Sequence, residues 1–106
     1  MLVVNRFRLP DSASEEAFRA DLATAHDVLA AQTGYVDGTL GRNLDEPDLW
    51  VLTTRWESVG AYRRALSSYD VKLSAVPILS RALDEPSAYE LVESDSVLNV
   101  SDPRAT

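Results

Sequence analysis

The amino-acid sequence predicts an α+β fold in which helices cover one face of an antiparallel sheet. Four segments rich in β-branched and aromatic residues are typical of strands, and two segments place apolar residues at helical spacing. They follow one another in the order β-α-β-β-α-β. With 106 residues, of which 45% are hydrophobic and 25% charged, the chain has the size and composition of one globular domain.

The first strand and the first helix have clear sequence signals. LVVNRFR at 2–8 is rich in strand-forming residues and ends before a proline. Ser12 and Glu15 have the spacing of a capping box at a helix start. The apolar residues that follow at helical spacing are Phe18, Leu22, Ala25 and Leu29. Because Gly34 suits a left-handed cap, we expect a helix over about residues 13–32.

A β-hairpin is predicted after the first helix. Residues 35–44 form its first strand and LWVLTTRW at 49–56 forms its second, with the turn DEPD between them. Ser58 then caps a second helix, which the sequence SSYD interrupts. Helical turns resume over residues 71–83 and break near Pro77, since proline removes a backbone donor.

The last strand is predicted at AYELVE, residues 88–93, where apolar and polar residues alternate. The complete order is that of the split β-α-β, or ferredoxin-like, unit, in which a four-stranded antiparallel sheet carries helices on one face. We assign residues 1–94 to this domain. Residues 95–106 are polar and are expected to be a C-terminal tail.

The sheet is expected to have an apolar face that the helices do not cover. Alternate residues of 49–56 point to opposite faces, Leu49, Val51, Thr53 and Arg55 to one and Trp50, Leu52, Thr54 and Trp56 to the other. Because both faces carry apolar residues, we expect two subunits to pack their open faces together as a homodimer. Arg6 and Arg55 are expected on this face. Asp37 and Glu90 are their expected partners across the interface.

The composition argues against several functional classes. A formal net charge of −7 argues against nucleic acid or an anionic membrane as the partner. The absence of cysteine excludes disulfides, thiolate metal sites and a cysteine nucleophile, and one histidine without cysteines does not make a transition-metal site. No segment has the apolar length of a signal peptide or a membrane span, so we expect a soluble, cytoplasmic protein.

The junction between the third strand and the second helix carries a motif of a known family. W-E-S-x-x-A-Y-R at 56–63, GYVDGTL after the first helix and the β-α-β-β-α-β order resemble the antibiotic biosynthesis monooxygenase (ABM) superfamily of dimeric α/β barrels. The resemblance extends over residues 1–94. It implies a homodimeric barrel with a pocket between sheet and helices in each subunit. Several members oxygenate polycyclic phenols without metal or organic cofactor, so it also implies no cofactor and O₂ as co-substrate.

The resemblance implies three catalytic candidates. Trp56 matches the junction tryptophan that lines the pocket of the family, and Tyr62 matches a pocket-facing tyrosine. Asn5 matches an asparagine that the haem-degrading branch has on its first strand. Quinone-forming members place another asparagine four residues before the tryptophan, where this chain has Leu52. That branch also has an arginine in its pocket; the corresponding position lies near Val76, and this chain has no arginine there.

The predicted substrate-contacting residues are Phe7, Trp50, Leu52 and His26. Cofactor-free oxygenation requires a deprotonated, electron-rich substrate that passes an electron to O₂, and a protein that supplies an apolar cavity, a proton acceptor and exclusion of water. The aromatic residues, with Trp56 and Tyr62, suit a flat apolar wall. As the sole histidine, His26 is the natural general base near neutral pH.

The leading hypothesis is a homodimeric, cofactor-independent monooxygenase acting on a flat aromatic substrate of polyketide-like or phenolic type. The alternative is a non-catalytic homodimer that binds a small ligand or serves as an assembly module, because Trp56 also suits a core position with its N–H bonded to a backbone carbonyl. Haem binding or degradation stands third. It is disfavoured because no histidine follows Trp56 at the spacing of that branch.

Overall fold

The computed structural model describes residues 1–11 and 13–98. The strands are β1 (Leu2–Arg8), β2 (Tyr35–Arg42), β3 (Leu49–Trp56) and β4 (Ala88–Tyr89). They form one sheet in the order β2-β3-β1-β4, and every neighbouring pair is antiparallel. The helices are α1 (Glu15–Ala30), α2 (Val59–Ser67), α3 (Tyr69–Ser74) and α4 (Val76–Leu79). The predicted α+β, ferredoxin-like architecture is confirmed.

Helix α1 begins later than its sequence signal indicates. Its N-cap is Ser14, whose Oγ accepts the backbone N–H of Ala17 at 3.2 Å. The capping box predicted with Ser12 rests on a residue that lies outside the described part of the chain. The four residues of the predicted apolar stripe are all buried in the core. Gly34 has φ +90°, the left-handed conformation that glycine adopts without strain, and leads the chain into β2.

The second helical region is divided into three helices. Ser68, within the predicted interruption, caps α3 by accepting the N–H of Val71 at 3.3 Å. Pro77 lies in the first turn of α4, where its missing N–H is not needed, so the predicted break is confirmed.

The last strand is shorter than predicted, since β4 ends at Tyr89 instead of residue 93. Tyr89 pairs with Leu2, the first residue of β1, so the partner strand has no further residue to offer. Along the rest of this edge, the backbone of β1 forms hydrogen bonds with residues that precede β4 in the sequence. The N–H of Leu83 donates to Arg6 O, and the N–H of Val4 donates to Ser87 O, both at 2.7 Å.

The two faces of the sheet differ in burial. The helix-facing residues of β1 and β3 that are at most 4% exposed are Val3, Phe7, Trp50, Leu52, Thr54 and Trp56. On the open face Leu2, Val4 and Val51 remain partly exposed, in agreement with the predicted apolar open face. Arg6 and Arg55, expected to pair between subunits, form ion pairs within the chain.

The open-face ion pairs join each arginine to a carboxylate on a neighbouring strand or on the segment along the sheet edge. Asp37 lies directly opposite Arg55 in the β2–β3 register, and their side chains approach to 2.6 Å. Arg6 binds Glu85, in the segment along the edge of β1, at 2.7 Å. Both guanidinium groups therefore have a carboxylate partner within the chain, and cross-subunit pairing of these arginines stays a prediction.

Candidate active site at the strand–helix junction

Trp56, the last residue of β3, is the centre of an aromatic cluster on the helix-facing side of the sheet. Its side chain is 2% exposed, and its Nε1–H donates to Thr54 Oγ1 at 2.9 Å. Tyr35 packs edge-on against the indole with ring centroids 5.5 Å apart, and Tyr62 lies at the same centroid distance with a tilted ring. The indole N–H is thus bound by a side-chain hydroxyl and not by the backbone carbonyl that the alternative core interpretation implied.

A β-bulge directs Tyr35 into this cluster. The β2–β3 register shifts between Tyr35 and Asp37, so that Tyr35 pairs with Trp56 while Asp37 pairs with Arg55. Without the extra residue, alternation would place Tyr35 on the open face, because a shift of one residue exchanges the two faces of a strand.

Tyr35 and His26 are joined by a short hydrogen bond. Tyr35 OH lies 2.6 Å from His26 Nε2, across the gap between β2 and α1. Gly38 leaves the space for it, since a Cβ there would lie 2.6 Å from Tyr35 OH and 2.7 Å from His26 Nε2. Burial and, to a smaller extent, the charge of Asp37 raise the pKa of the Tyr35 phenol. Tyr35 is therefore a protonated phenol near neutral pH, and its hydroxyl shares a hydrogen bond with His26 Nε2.

Tyr62 lies beside the indole at the start of the second helix. It lies on α2, whose N-cap Ser58 accepts the N–H of Ala61 at 3.1 Å and so starts the helix directly after Trp56. The Tyr62 ring is half-buried, and burial raises the pKa of its phenol. Among the described residues its hydroxyl has no hydrogen-bond partner.

Asn5 and Leu52 lie opposite each other in the β1–β3 register, on the helix-facing side of the sheet. Leu52 is fully buried, whereas Asn5 is half-buried. The Asn5 carboxamide makes no hydrogen bond within the described part of the chain. An amide is therefore present one strand away from Leu52, the position at which the resemblance implied an asparagine.

Phe7 and Trp50 belong to a second aromatic cluster. Both pack edge-on against Phe18, with ring centroids 5.9 and 5.7 Å away. The Trp50 indole nitrogen is buried and has no hydrogen-bond partner among the described residues. These two predicted substrate contacts therefore line the core around Phe18, whereas Trp56, Tyr62 and, through Tyr35, His26 are brought together at the junction.

Sequence reasoning missed Tyr35 and Thr54. The signal for Thr54 was present, since it stands two residues before Trp56 and therefore on the same face of β3. Tyr35 opens the quoted GYVDGTL segment, but its orientation depends on the bulge, which periodicity alone does not show.

Neither a metal cluster nor a membrane helix is found in the residues that the structure describes. No three histidine, aspartate or glutamate side chains there are grouped as metal ligands. Within 1–11 and 13–98, each helix is too short or too polar to cross a bilayer.

A comparison with protein-family sequence models decides the family of the chain. The model described as "Antibiotic biosynthesis monooxygenase" matches residues 1–73, which include β1 to β3, α1, α2 and the junction. The chain belongs to the ABM family. No curated protein sequence matches this ABM protein.

Solved structures share the fold of this ABM protein. SnoaB from Streptomyces nogalater, described as a cofactor-independent oxygenase, is 26% identical over 92% of this chain and 94% of its own, with a TM-score of 0.68. Rv0793 from Mycobacterium tuberculosis is 22% identical over 90% and 97% of the two chains, with a TM-score of 0.68. A conserved protein from Methanosarcina mazei Go1 is 18% identical over 82% and 84%, with a TM-score of 0.65.

Proposed function

We propose that this ABM protein is a cofactor-independent monooxygenase that oxidises a flat phenolic substrate with O₂ at the Trp56 junction. The observation that carries the proposal is Tyr62, whose ring lies 5.5 Å from that of Trp56 and whose hydroxyl has no partner among the described residues. A half-buried polar group without a partner, beside an aromatic surface, is available to a substrate oxygen. The likeness to SnoaB supports the reaction class.

Tyr62 would bind the substrate as a hydrogen-bond donor. Because burial raises the pKa of its phenol, the hydroxyl stays protonated at neutral pH. A protonated phenol donates to a phenolate oxygen, and such charge-assisted hydrogen bonds are stronger than neutral ones. Tyr62 therefore favours the deprotonated substrate, which is the form that transfers an electron to O₂.

Asn5 would supply the second polar contact. Residues directly opposite in an antiparallel pair lie about 4.5–5.5 Å apart, so the Asn5 amide is displaced by one strand from the position held by Leu52. Its unpaired carboxamide can bind a second substrate oxygen from the floor of the site. The Asn5 amide on β1 would thus serve in place of an asparagine at position 52 on β3.

The proposed reaction needs no electron source besides the substrate. The phenolate gives one electron to O₂, and the resulting radical pair combines at a ring carbon para to the oxygen to give a hydroperoxide. Loss of water from the hydroperoxide leaves a quinone. One phenol with a para C–H and one O₂ are consumed, and one quinone and one water are formed. The protein contributes orientation, stabilisation of the phenolate and exclusion of bulk water.

A homodimer through the open sheet face is part of the same proposal. Leu2, Val4 and Val51 lie on neighbouring strands of that face and are partly exposed. The ion pairs Arg55–Asp37 and Arg6–Glu85 lie on the same face and are already neutralised within the chain. An apolar centre with paired charges is suited to packing against a second copy.

The test is O₂ consumption with a panel of dihydroxynaphthalenes and anthrones in the presence of a metal chelator. We expect Tyr62→Phe to lower the rate about a hundredfold, which is typical for removal of one donor to a developing oxyanion. Asn5→Leu is also expected to lower the rate of O₂ consumption. The double variant Asn5→Leu/Leu52→Asn is expected to restore part of this rate, because it returns an amide to the same level of the sheet. Absence of O₂ uptake with every phenol would contradict the proposal.

The second candidate is a dimeric ligand-binding module without catalysis. It is favoured by a groove of about 610 Å³ between the start of β1, the start of α2 and β4, which has Met1, Val59 and Leu91 in its lining but neither Trp56 nor Tyr62. Tryptophan fluorescence distinguishes the sites, since Trp50→Phe reports on Trp56 alone and Trp56→Phe on Trp50 alone. Saturable quenching by a phenol in Trp50→Phe supports the junction site. Binding without such quenching and without O₂ uptake supports the module.

A further inference from the structure

Four side chains form a continuous series of ring contacts across the helix-facing side of the sheet. The ring centroids of Tyr62 and Trp56 lie 5.5 Å apart, those of Trp56 and Tyr35 5.5 Å, and those of Tyr35 and His26 5.9 Å. The series crosses from α2 through β3 and β2 to α1. Its central indole is 2% exposed, whereas the two end residues are half-buried.

The series differs in chemistry from the other aromatic cluster. Phe7, Phe18 and Trp50 have centroid distances as short, but two of the three rings are phenyl groups. Phenyl side chains resist one-electron oxidation, whereas phenol and indole side chains are the aromatic groups in proteins that lose an electron most readily. The oxidisable rings around Trp56 are thus contiguous, whereas Phe18 is the one ring neighbour of Trp50 among the described residues.

The Tyr35–His26 hydrogen bond gives the series a terminal proton acceptor. A phenol that loses an electron becomes a strong acid, so its oxidation is far easier when a base already accepts its proton. His26 Nε2 lies 2.6 Å from Tyr35 OH, within reach of that proton. The chain has one histidine, so no other tyrosine has this partner. Gly38 keeps the space in which both groups meet.

We propose that Tyr62, Trp56, Tyr35 and His26 form an electron-transfer relay that reduces stray oxygen-centred radicals at the junction. A peroxyl-type radical takes one electron from Trp56 and one proton from water and becomes a hydroperoxide. Tyr35 returns an electron to the indole and releases its phenolic proton to His26 Nε2, which leaves a neutral tyrosyl radical and an imidazolium. A small thiol or ascorbate then reduces the tyrosyl radical, and the proton returns from His26.

The relay rests on the proposed function for the origin of the radical, but its test needs no substrate. The chain contains no cysteine, so Arg63→Cys, on the exposed surface of α2 next to Tyr62, gives a single attachment point for a ruthenium polypyridyl photo-oxidant. Tyr62, Tyr69 and Tyr89 are replaced by phenylalanine in every variant, so that a tyrosyl radical can arise only at Tyr35. Flash oxidation is followed by transient absorption and electron paramagnetic resonance.

We expect a tyrosyl radical in the labelled protein and its loss in Tyr35→Phe, where a tryptophanyl radical replaces it. Trp56→Phe is expected to remove the signal by breaking the series in the middle. His26→Gln keeps a hydrogen-bond acceptor but not a base, and is expected to lower the tyrosyl yield to the level of Tyr35→Phe. Circular dichroism confirms that each variant is folded, and a second label at Lys72→Cys, on α3, repeats the experiment from another origin.

Two results would overturn the relay. One is a tyrosyl yield that is unchanged in folded Tyr35→Phe, and the other is an unchanged yield in folded His26→Gln. Because no substrate is present, tyrosyl formation in a protein that never consumes O₂ would support the relay and refute the oxygenase. O₂ consumption with no transfer to Tyr35 would do the reverse.

Discussion

Gly38 should not tolerate even a methyl group. A Cβ at this position would lie 2.6 Å from Tyr35 OH, 2.7 Å from His26 Nε2 and 2.7 Å from Thr53 O. The first two atoms end flexible side chains, but the third belongs to the backbone of β3 and is fixed by the sheet. Gly38→Ala must therefore break the Tyr35–His26 hydrogen bond or distort the β2–β3 pairing.

The expected cost follows from opposing effects. Overpacking of this kind costs about 1–3 kcal/mol. Replacing a strand glycine by alanine recovers about 0.5–1 kcal/mol of backbone entropy. We expect a net loss of about 1–2 kcal/mol in the free energy of unfolding, which for a chain of this size lowers Tm by roughly 5–15 °C.

Gly41 provides the matched control in the same strand. A Cβ there would meet Val51 Cγ1 alone, at 3.3 Å, so Gly41→Ala is expected to change stability little. Thermal and urea unfolding of both variants, with Tyr35→Phe and Tyr35→Phe/Gly38→Ala to complete a double-mutant cycle, measures how much of the cost involves the phenol. Equal stability of Gly38→Ala and Gly41→Ala would refute the packing argument.

Three further outcomes are expected. The hydrogen bond from Arg55 lowers the pKa of Asp37 below its usual 3.8. The ion pair therefore stabilises the fold above pH 3.8, and this stabilisation is lost as the pH falls through the lowered pKa. Asp37→Asn should make the free energy of unfolding, measured in urea, less dependent on pH in this acid range. Chemical denaturation should show a cost of about 2 kcal/mol for Trp56→Phe but less than about 1 for Trp50→Phe, because the Trp50 N–H has no hydrogen-bond partner to lose within residues 1–11 and 13–98. Val51→Glu should convert the proposed dimer to a monomer in analytical ultracentrifugation, and an unchanged mass would refute the open-face interface.

The sequence was sufficient for the order of elements because their signals are local. The alternation in β3 placed Trp50, Leu52, Thr54 and Trp56 on one face, and the structure buries all four. The stripe of α1 is buried for the same reason, since burial follows from spacing when a helix packs on a sheet.

The site was less predictable because its contacts depend on departures from regular structure. One extra residue in β2 turns Tyr35 from the open face to the helix-facing side, and no periodicity contains that signal. The end of β4 was also misjudged, because the alternation of residues 88–93 says nothing about where the partner strand begins. Local pattern defines an element, but its length depends on the partner.

The pairing of β1 has a consequence for the order of events in folding. β1 is the first strand to be synthesised, yet one neighbour, β3, begins at Leu49 and the other edge is met by residues from Leu83 to Tyr89. The backbone N–H and C=O groups on both edges of β1 therefore remain unpaired until residues that are synthesised much later become available. Contacts of such long sequence separation slow folding, and an unpaired strand is prone to aggregate while it waits. Variants that weaken Val4–Ser87 or Arg6–Leu83 pairing should lower the soluble yield during synthesis more than the stability of the finished protein.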